Sequence, residues 1–60
     1  MEATVVTIRV DPDALVKVYD ETNDEIIYID NTDQNGTSAP IKLDTQGGHY
    51  FIDVTIFPQN

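Results

Sequence analysis

Residues 14–31, ALVKVYDETNDEIIYIDN, carry the strongest structural signal in this sequence. β-Branched and aromatic residues fill 14–20 and 25–31, and a polar break at Glu21–Asp24 separates the two runs. The dominant hydrophobic period is two, which places successive side chains on opposite faces of a strand, whereas an amphipathic helix needs a period of 3.6. The stretch therefore predicts a β-hairpin with its turn at residues 21–24.

The same pattern continues on both sides of this hairpin. A run at Thr4–Val10 precedes it, and runs at Ile41–Asp44 and His49–Phe57 follow it. The segment Thr32–Ala39 is rich in polar and turn-forming residues and predicts a loop. Further turn signals are Asp11-Pro12-Asp13, Asn35-Gly36 and Gly47-Gly48. The sequence thus predicts one all-β domain over residues 1–60, with about five mostly antiparallel strands in a small sandwich or a partly open barrel.

The period of two also predicts which side chains share a face. The predicted core face consists of Val6, Ile8, Val10, Val16, Val18, Ile27, Ile29, Ile41, Leu43, Tyr50, Ile52, Val54 and Ile56. The opposite face carries Val5, Arg9, Leu15, Lys17, Tyr19, Ile26, Tyr28, Lys42, Phe51 and Phe57. A solvated face needs less apolar surface than this. Either the face contacts another molecule, or the sheet curls and hides part of it.

The chain from Val16 onward resembles a known kind of domain. Val16–Asp20 leads through a polar turn to Glu25–Tyr28, and after a loop come Ile41–Leu43 and Gly48–Val54. This layout resembles the closing half of small immunoglobulin-like β-sandwich domains of secreted Bacteroidetes proteins. The resemblance implies an immunoglobulin-like topology and transfers no functional residue. The chain departs from that pattern in lacking a glycine in the turn after Asp20 and in being shorter than a seven-stranded sandwich.

Composition excludes several kinds of site. The 60 residues contain no cysteine, which excludes disulfides, zinc–thiolate centres, iron–sulfur clusters and cysteine nucleophiles. Eleven acidic and three basic residues give a net charge of −8, which opposes direct binding to nucleic acid or anionic membranes and favours a basic protein partner. Eight of the eleven acids lie between Asp11 and Asp33, at predicted strand ends. We expect no cofactor.

Candidate catalytic and metal-binding groups are few. His49 is the single histidine, and Ser38, which lies in the predicted polar loop, is the single serine. Nothing in the sequence suggests that they form a catalytic triad. Paired carboxylates would need a cleft that raises one pKa, for which so short a chain has little volume. The segment from Asn31 to Gly36 partly fits a calcium loop, but Lys42 occupies the position of the bidentate glutamate. We therefore predict an ordinary turn in this segment, no metal site and no enzymatic activity.

The sequence therefore favours a non-enzymatic protein-binding module. The first hypothesis is a small acidic inhibitor, similar in size and charge to phage anti-defence proteins, that blocks a basic nucleic-acid-binding surface by imitating phosphates. Alternatives are an immunoglobulin-like accessory or adhesion domain of a secreted or surface protein, and a structural protein that assembles through strand edges, with a homodimer possible. We expect a location in the host cytoplasm if the chain is a complete open reading frame, and outside the cell if it is an excised domain. The predicted partner-binding residues are Tyr19, Asp20, Glu21, Asp24, Glu25, Tyr28, Asp30 and Asp33.

Overall fold

A computed structural model describes residues 3–57. In this part of the chain the strands are β1 (Ala3–Val6), β2 (Leu15–Asp20), β3 (Glu25–Asn31), β4 (Ile41–Asp44) and β5 (Tyr50–Thr55). The prediction of a small all-β domain is confirmed, since the described residues contain five strands and no helix. Accordingly, no helix within residues 3–57 is long and apolar enough to cross a membrane.

The strands form two antiparallel sheets that do not close into a barrel. One sheet has the order β3-β2-β5, and the other pairs β1 with β4. The predicted hairpin is β2–β3, and β2 lies at the centre of its sheet because β5 pairs along its other side. Through this arrangement β2 is supported on both sides, whereas β3 and β5 are edge strands.

The core lies between the two sheets and is thin. Val16 and Val18 of β2 are fully buried, and Ile41 of β4 is 3% exposed. Burying such a side chain contributes about 1.5–3 kcal/mol. The partly buried side chains packed around these three come from both sheets: Val6, Ile8, Val10, Ile27, Tyr28, Leu43, Tyr50 and Val54.

The predicted faces of β3 are wrong for two residues because the strand contains a β-bulge. Val18 pairs with Tyr28 and Tyr19 pairs with Ile26, so Ile27 is an extra residue without a partner. Ile27 and Tyr28 both pack against the core, whereas Ile29 points outward and is 59% exposed. An extra residue shifts the alternation of every later side chain, which explains why Tyr28 and Ile29 exchange their predicted faces.

Two further residues of the predicted core face are exposed near the end of the chain. Ile52 pairs with Val18 on the inner face, yet it is 53% exposed because β5 is an edge strand. Ile56 lies just beyond β5 and is 57% exposed. The hydrophobic period is correct here, but the sheet that covers Val18 leaves these edge positions accessible.

The predicted first strand is regular only over β1, and its remainder pairs with the predicted loop. Arg9 forms an isolated antiparallel bridge with Thr37, and the Val10 amide donates to the Gly36 carbonyl at 2.8 Å. Gly36 has φ +83°, and a Cβ there would lie 2.6 Å from the Val10 carbonyl oxygen. Only glycine fits this close approach. Backbone hydrogen bonds therefore hold the loop against the segment after β1, and the loop does not lie free.

Candidate functional site

The side of the β3-β2-β5 sheet that faces away from the core is called here the outer face. Its residues lie in three rows across the strands: Ile26–Tyr19–Phe51, Ile29–Lys17–Asp53 and Asn31–Leu15–Thr55. Ile26, Ile29 and Phe51 are 54%, 59% and 58% exposed, respectively. The apolar surface that the sequence predicts on this side is therefore not hidden within the monomer.

An aromatic pair forms the centre of the first row. The rings of Tyr19 and Phe51 stack with their centroids 6.3 Å apart and an interplanar angle of 20°. The Tyr19 hydroxyl donates a hydrogen bond to Oδ1 of Asp24. This hydrogen bond to a carboxylate, with smaller contributions from desolvation and from the charges of neighbouring acids, raises the pKa of Tyr19. The stacking against Phe51 and the hydrogen bond to Asp24 together restrict the side-chain conformations of Tyr19.

Beside this row, three exposed acids at the β2–β3 turn form what we call the acidic rim: Glu21 and Asp24 in the turn, and Glu25, the first residue of β3. Glu25 pairs with Asp20 and precedes Ile26, so its side chain lies on the core side of the sheet. Asp20 is not part of the rim, because it is 5% exposed. Its two carboxylate oxygens accept hydrogen bonds from the backbone amide and the side-chain amide of Asn23, at 3.2 and 2.7 Å. Asp20 therefore stabilises the turn that presents the rim, and it is not available to a partner.

The remaining predicted site residues lie elsewhere. Asp30 and Asp33 are exposed near the opposite end of β2, which spans about 17 Å; Asp30 pairs with Val16, and Asp33 follows β3. Tyr28 packs on the core side, and its hydroxyl accepts a hydrogen bond from the Ala39 amide at 3.2 Å. The structure thus brings together Tyr19 and the rim, and separates them from Asp30, Asp33 and Tyr28.

Sequence reasoning missed Ile29 as a surface residue, and it did not include Ile26, Phe51 or Asp53 among the site residues. No sequence signal reveals Ile29, because its exposure depends on the bulge at Ile27. The other three could have been found from the period of two, which already places them on the same side as Tyr19. Asp53 stands across from Lys17 in the second row and brings a carboxylate into the middle of the face.

An open cavity of about 590 Å³ lies at the end of the sheet opposite the rim, so the expectation of little cleft volume is wrong. Asp11, Asp13 and Asp33 line it together with Ile56 and Phe57. A general acid in a cleft would need a raised pKa. Hydrogen bonds from backbone amides, that of Thr37 first and that of Asn35 second, instead lower the pKa of Asp33.

The candidate calcium loop and the single serine both have structural roles. The Asp33 carboxylate accepts hydrogen bonds from amides of its own turn, at 2.8 and 3.0 Å. Ser38, expected in a free polar loop, is 5% exposed, accepts from the Ile8 amide and donates to the Ala39 carbonyl, both at 2.9 Å. Among the residues that the structure describes, no three His, Asp or Glu side chains converge in a way that could hold a metal ion.

The chain matches no protein-family model, no curated protein and no solved structure with which it was compared. A functional hypothesis for it rests on the outer face, the acidic rim and the cavity themselves.

Proposed function

We propose that this protein is a non-enzymatic binding module, which docks its outer face and acidic rim on a basic surface of another protein and so keeps nucleic acid from that surface. One observation carries the proposal: Ile26, Ile29 and Phe51 are each more than half exposed on one sheet face, directly beside a turn rich in carboxylates. Apolar surface of this kind, bordered by charge, is typical of protein interfaces.

The apolar part supplies affinity. Full burial of a side chain of this size contributes about 1.5–3 kcal/mol, and somewhat more than half of that is still unrealised for each of the three. Covering them would contribute about 3–5 kcal/mol before the costs of association. Tyr19 and Phe51, already stacked, are suited to act as anchors, because aromatic residues dominate interface hot spots.

The acidic part supplies selectivity for a basic partner. Glu21, Asp24 and Glu25 lie together at one end of the sheet, on a chain of net charge −8. Such a field accelerates encounter with a positive surface and opposes encounter with nucleic acid. A partner surface built to bind phosphates presents lysine and arginine groups, with which carboxylates also form charge-assisted hydrogen bonds. The rim would occupy the positions of phosphates while the apolar rows seal the contact.

The test uses two variants of equal charge. Glu21→Lys/Glu25→Lys alters the rim, and Asp11→Lys/Asp30→Lys makes the same change near the opposite end of β2; both take the net charge from −8 to −4. The wild type and both variants are used to capture proteins from cell extract at low and high salt, and captured proteins are identified by mass spectrometry. We expect salt-sensitive capture of a nucleic-acid-binding protein by the wild type and by the Asp11/Asp30 variant, with loss in the rim variant.

A direct competition completes the test. The identified partner, purified, should release its nucleic acid when the wild-type protein is added, and the rim variant should fail to displace it. If both variants lose capture equally, net charge and not the rim governs binding. If captured partners keep their nucleic acid, the inhibitory function is wrong.

An accessory or adhesion domain of immunoglobulin-like type is the second candidate, and the packing of two antiparallel sheets around one core favours it. In that case binding would be insensitive to salt and to the rim substitutions, while substitution of the outer-face apolar residues would still weaken it. The same capture experiment therefore separates the two candidates.

A further inference from the structure

The free edge of β5 is the second unpartnered feature of the sheet. In the described part of the chain, β5 pairs with β2 alone. The Glu21 amide donates to the His49 carbonyl at 2.9 Å, one step beyond the paired residues Asp20 and Tyr50. Because hydrogen-bonded and non-hydrogen-bonded pairs alternate along an antiparallel ladder, the backbone groups of the odd-numbered residues of β5 face β2. Those of the even-numbered residues, Ile52 among them, face the open side.

The side chains of β5 are exposed on both sides of the sheet. Phe51 lies on the outer face and Ile52 on the inner face, and they are 58% and 53% exposed. A partner that lies flat on the outer face would cover Phe51 and leave Ile52 in water. One occupant covers both side chains only if it stands beside β5, in line with the sheet.

The other edge of this sheet is less suited to receive a strand. The bulge in β3 interrupts the regular ladder, and bulges are a common protection of edge strands. Between Tyr50 and Thr55, in contrast, the register with β2 is continuous, and the strand contains no proline or lysine and a single charge, Asp53. Pairing should therefore extend from β5.

We infer that β5 accepts an extended segment of the basic partner as a fourth strand of the sheet. This inference rests on the proposed function and specifies how the partner binds. In antiparallel pairing, the segment would place a lysine or arginine across from Asp53, and the next two residues, both apolar, across from Ile52 and Phe51. A second copy of this chain is disfavoured as the occupant, since two chains of charge −8 repel each other.

The test uses a fluorescein-labelled synthetic peptide, KTTKIVTK, which places its central lysine, its isoleucine and its valine across from Asp53, Ile52 and Phe51. N-methylation of the peptide's isoleucine removes an amide that faces β5, whereas N-methylation of its valine removes one that faces away. The protein is unchanged in this comparison, and both peptides carry the same extra methyl group.

We expect the unmodified peptide to bind at concentrations up to ~1 mM, which corresponds to about −4 kcal/mol. Methylation of the isoleucine should weaken binding about tenfold more than methylation of the valine, since it removes one hydrogen bond and leaves a carbonyl unpaired. In NMR spectra of the labelled protein, the Ile52 and Val54 amides should gain protection from hydrogen exchange on binding.

The inference would be overturned by equal effects of the two methylations or by absence of binding at ~1 mM. It would also be overturned if the protein without peptide self-associates in analytical ultracentrifugation and its Ile52 and Val54 amides are then already protected from exchange. The outcomes for the two proposals are separable. If the rim-dependent capture persists but the isoleucine-methylated peptide binds as well as its control, strand addition alone is wrong. If the peptide adds to β5 but no basic partner depends on the rim, the proposed inhibition alone is wrong.

Discussion

Replacing Ile29 with threonine tests whether the outer face is exposed in the functional protein. Threonine is also β-branched and keeps the strand propensity of isoleucine, so the change removes apolar surface with little effect on the backbone. Val18→Thr provides the matched comparison, since Val18 lies in the same sheet but is 1% exposed and packs in the core.

The expected magnitudes follow from the two exposures. Ile29 is 59% exposed, so folding realises about two-fifths of a transfer free energy of about 1.5–3 kcal/mol. Ile29→Thr should therefore lower the free energy of unfolding by at most about 1 kcal/mol. Val18→Thr buries a hydroxyl in place of a methyl group and should cost about 2 kcal/mol or more. For a domain of this length, whose total is about 3–9 kcal/mol, the second loss is severe.

For binding, the order of the two variants should be reversed, so that Ile29→Thr has the larger effect. The exposed part of Ile29 can contribute about 0.9–1.8 kcal/mol to an interface, so Ile29→Thr should raise the Kd for the captured partner about 5- to 20-fold. Urea unfolding followed by circular dichroism measures the stability, at several protein concentrations, and titration measures the Kd. If Ile29→Thr destabilises the protein as much as Val18→Thr, or if the unfolding midpoint rises with concentration, Ile29 is already covered and the outer face is not free.

Three other predictions concern single interactions. Gly36→Ala should lower the free energy of unfolding by about 2–4 kcal/mol, because it combines a positive φ with a Cβ 2.6 Å from a backbone oxygen. Gly47→Ala, at φ +118° with open space around it, should cost about 1 kcal/mol. Equal urea midpoints of the two variants would refute this difference. The pKa of Asp33 is lowered in the folded state, so its contribution to stability is present above its unfolded pKa and is lost as the pH falls through the folded one. Asp33→Asn should therefore make the urea midpoint less sensitive to acid. An unchanged acid dependence would count against this role of Asp33. The pKa of Tyr19 is raised, so its contribution to stability is present below the unfolded pKa and is lost as the pH rises through the folded one. In Asp24→Asn the alkaline absorbance titration of Tyr19 should move to lower pH. An unmoved titration would exclude the Asp24 carboxylate as the cause of the raised pKa.

The sequence was sufficient to predict the all-β class and the β2–β3 hairpin, because both depend on local periodicity and on the polar turn after Asp20. It could not predict the side of the sheet on which Ile29 lies, since one unpaired residue reverses the alternation and nothing in a run of isoleucines marks where it falls. The exposure of Ile52 was equally beyond reach. It depends on β5 being an edge strand, and strand order is set by contacts between distant segments.

In the candidate site, too, local sequence predicts some features, and others depend on the three-dimensional structure. Glu21, Asp24 and Glu25 are neighbours along the chain, so their common position at one turn follows from the hairpin alone. Asp20, adjacent to them in sequence, differs because its side chain turns back to bind Asn23, a contact that depends on the conformation of the turn. Local order thus predicts where charges gather, whereas the tertiary geometry decides which of them a partner can reach.

The charge and the apolar surface of this protein are best understood together. A thin core combined with exposed residues such as Ile26 and Phe51 and an unprotected strand edge would ordinarily favour pairing between identical chains. A net charge of −8 on 60 residues opposes that pairing, because every copy carries the same field. In the proposed function a basic partner would meet no such barrier, since its charges would neutralise the rim as the apolar rows are covered. The acidity would then both keep the binding surface free and select what binds to it, and neither role requires a catalytic group.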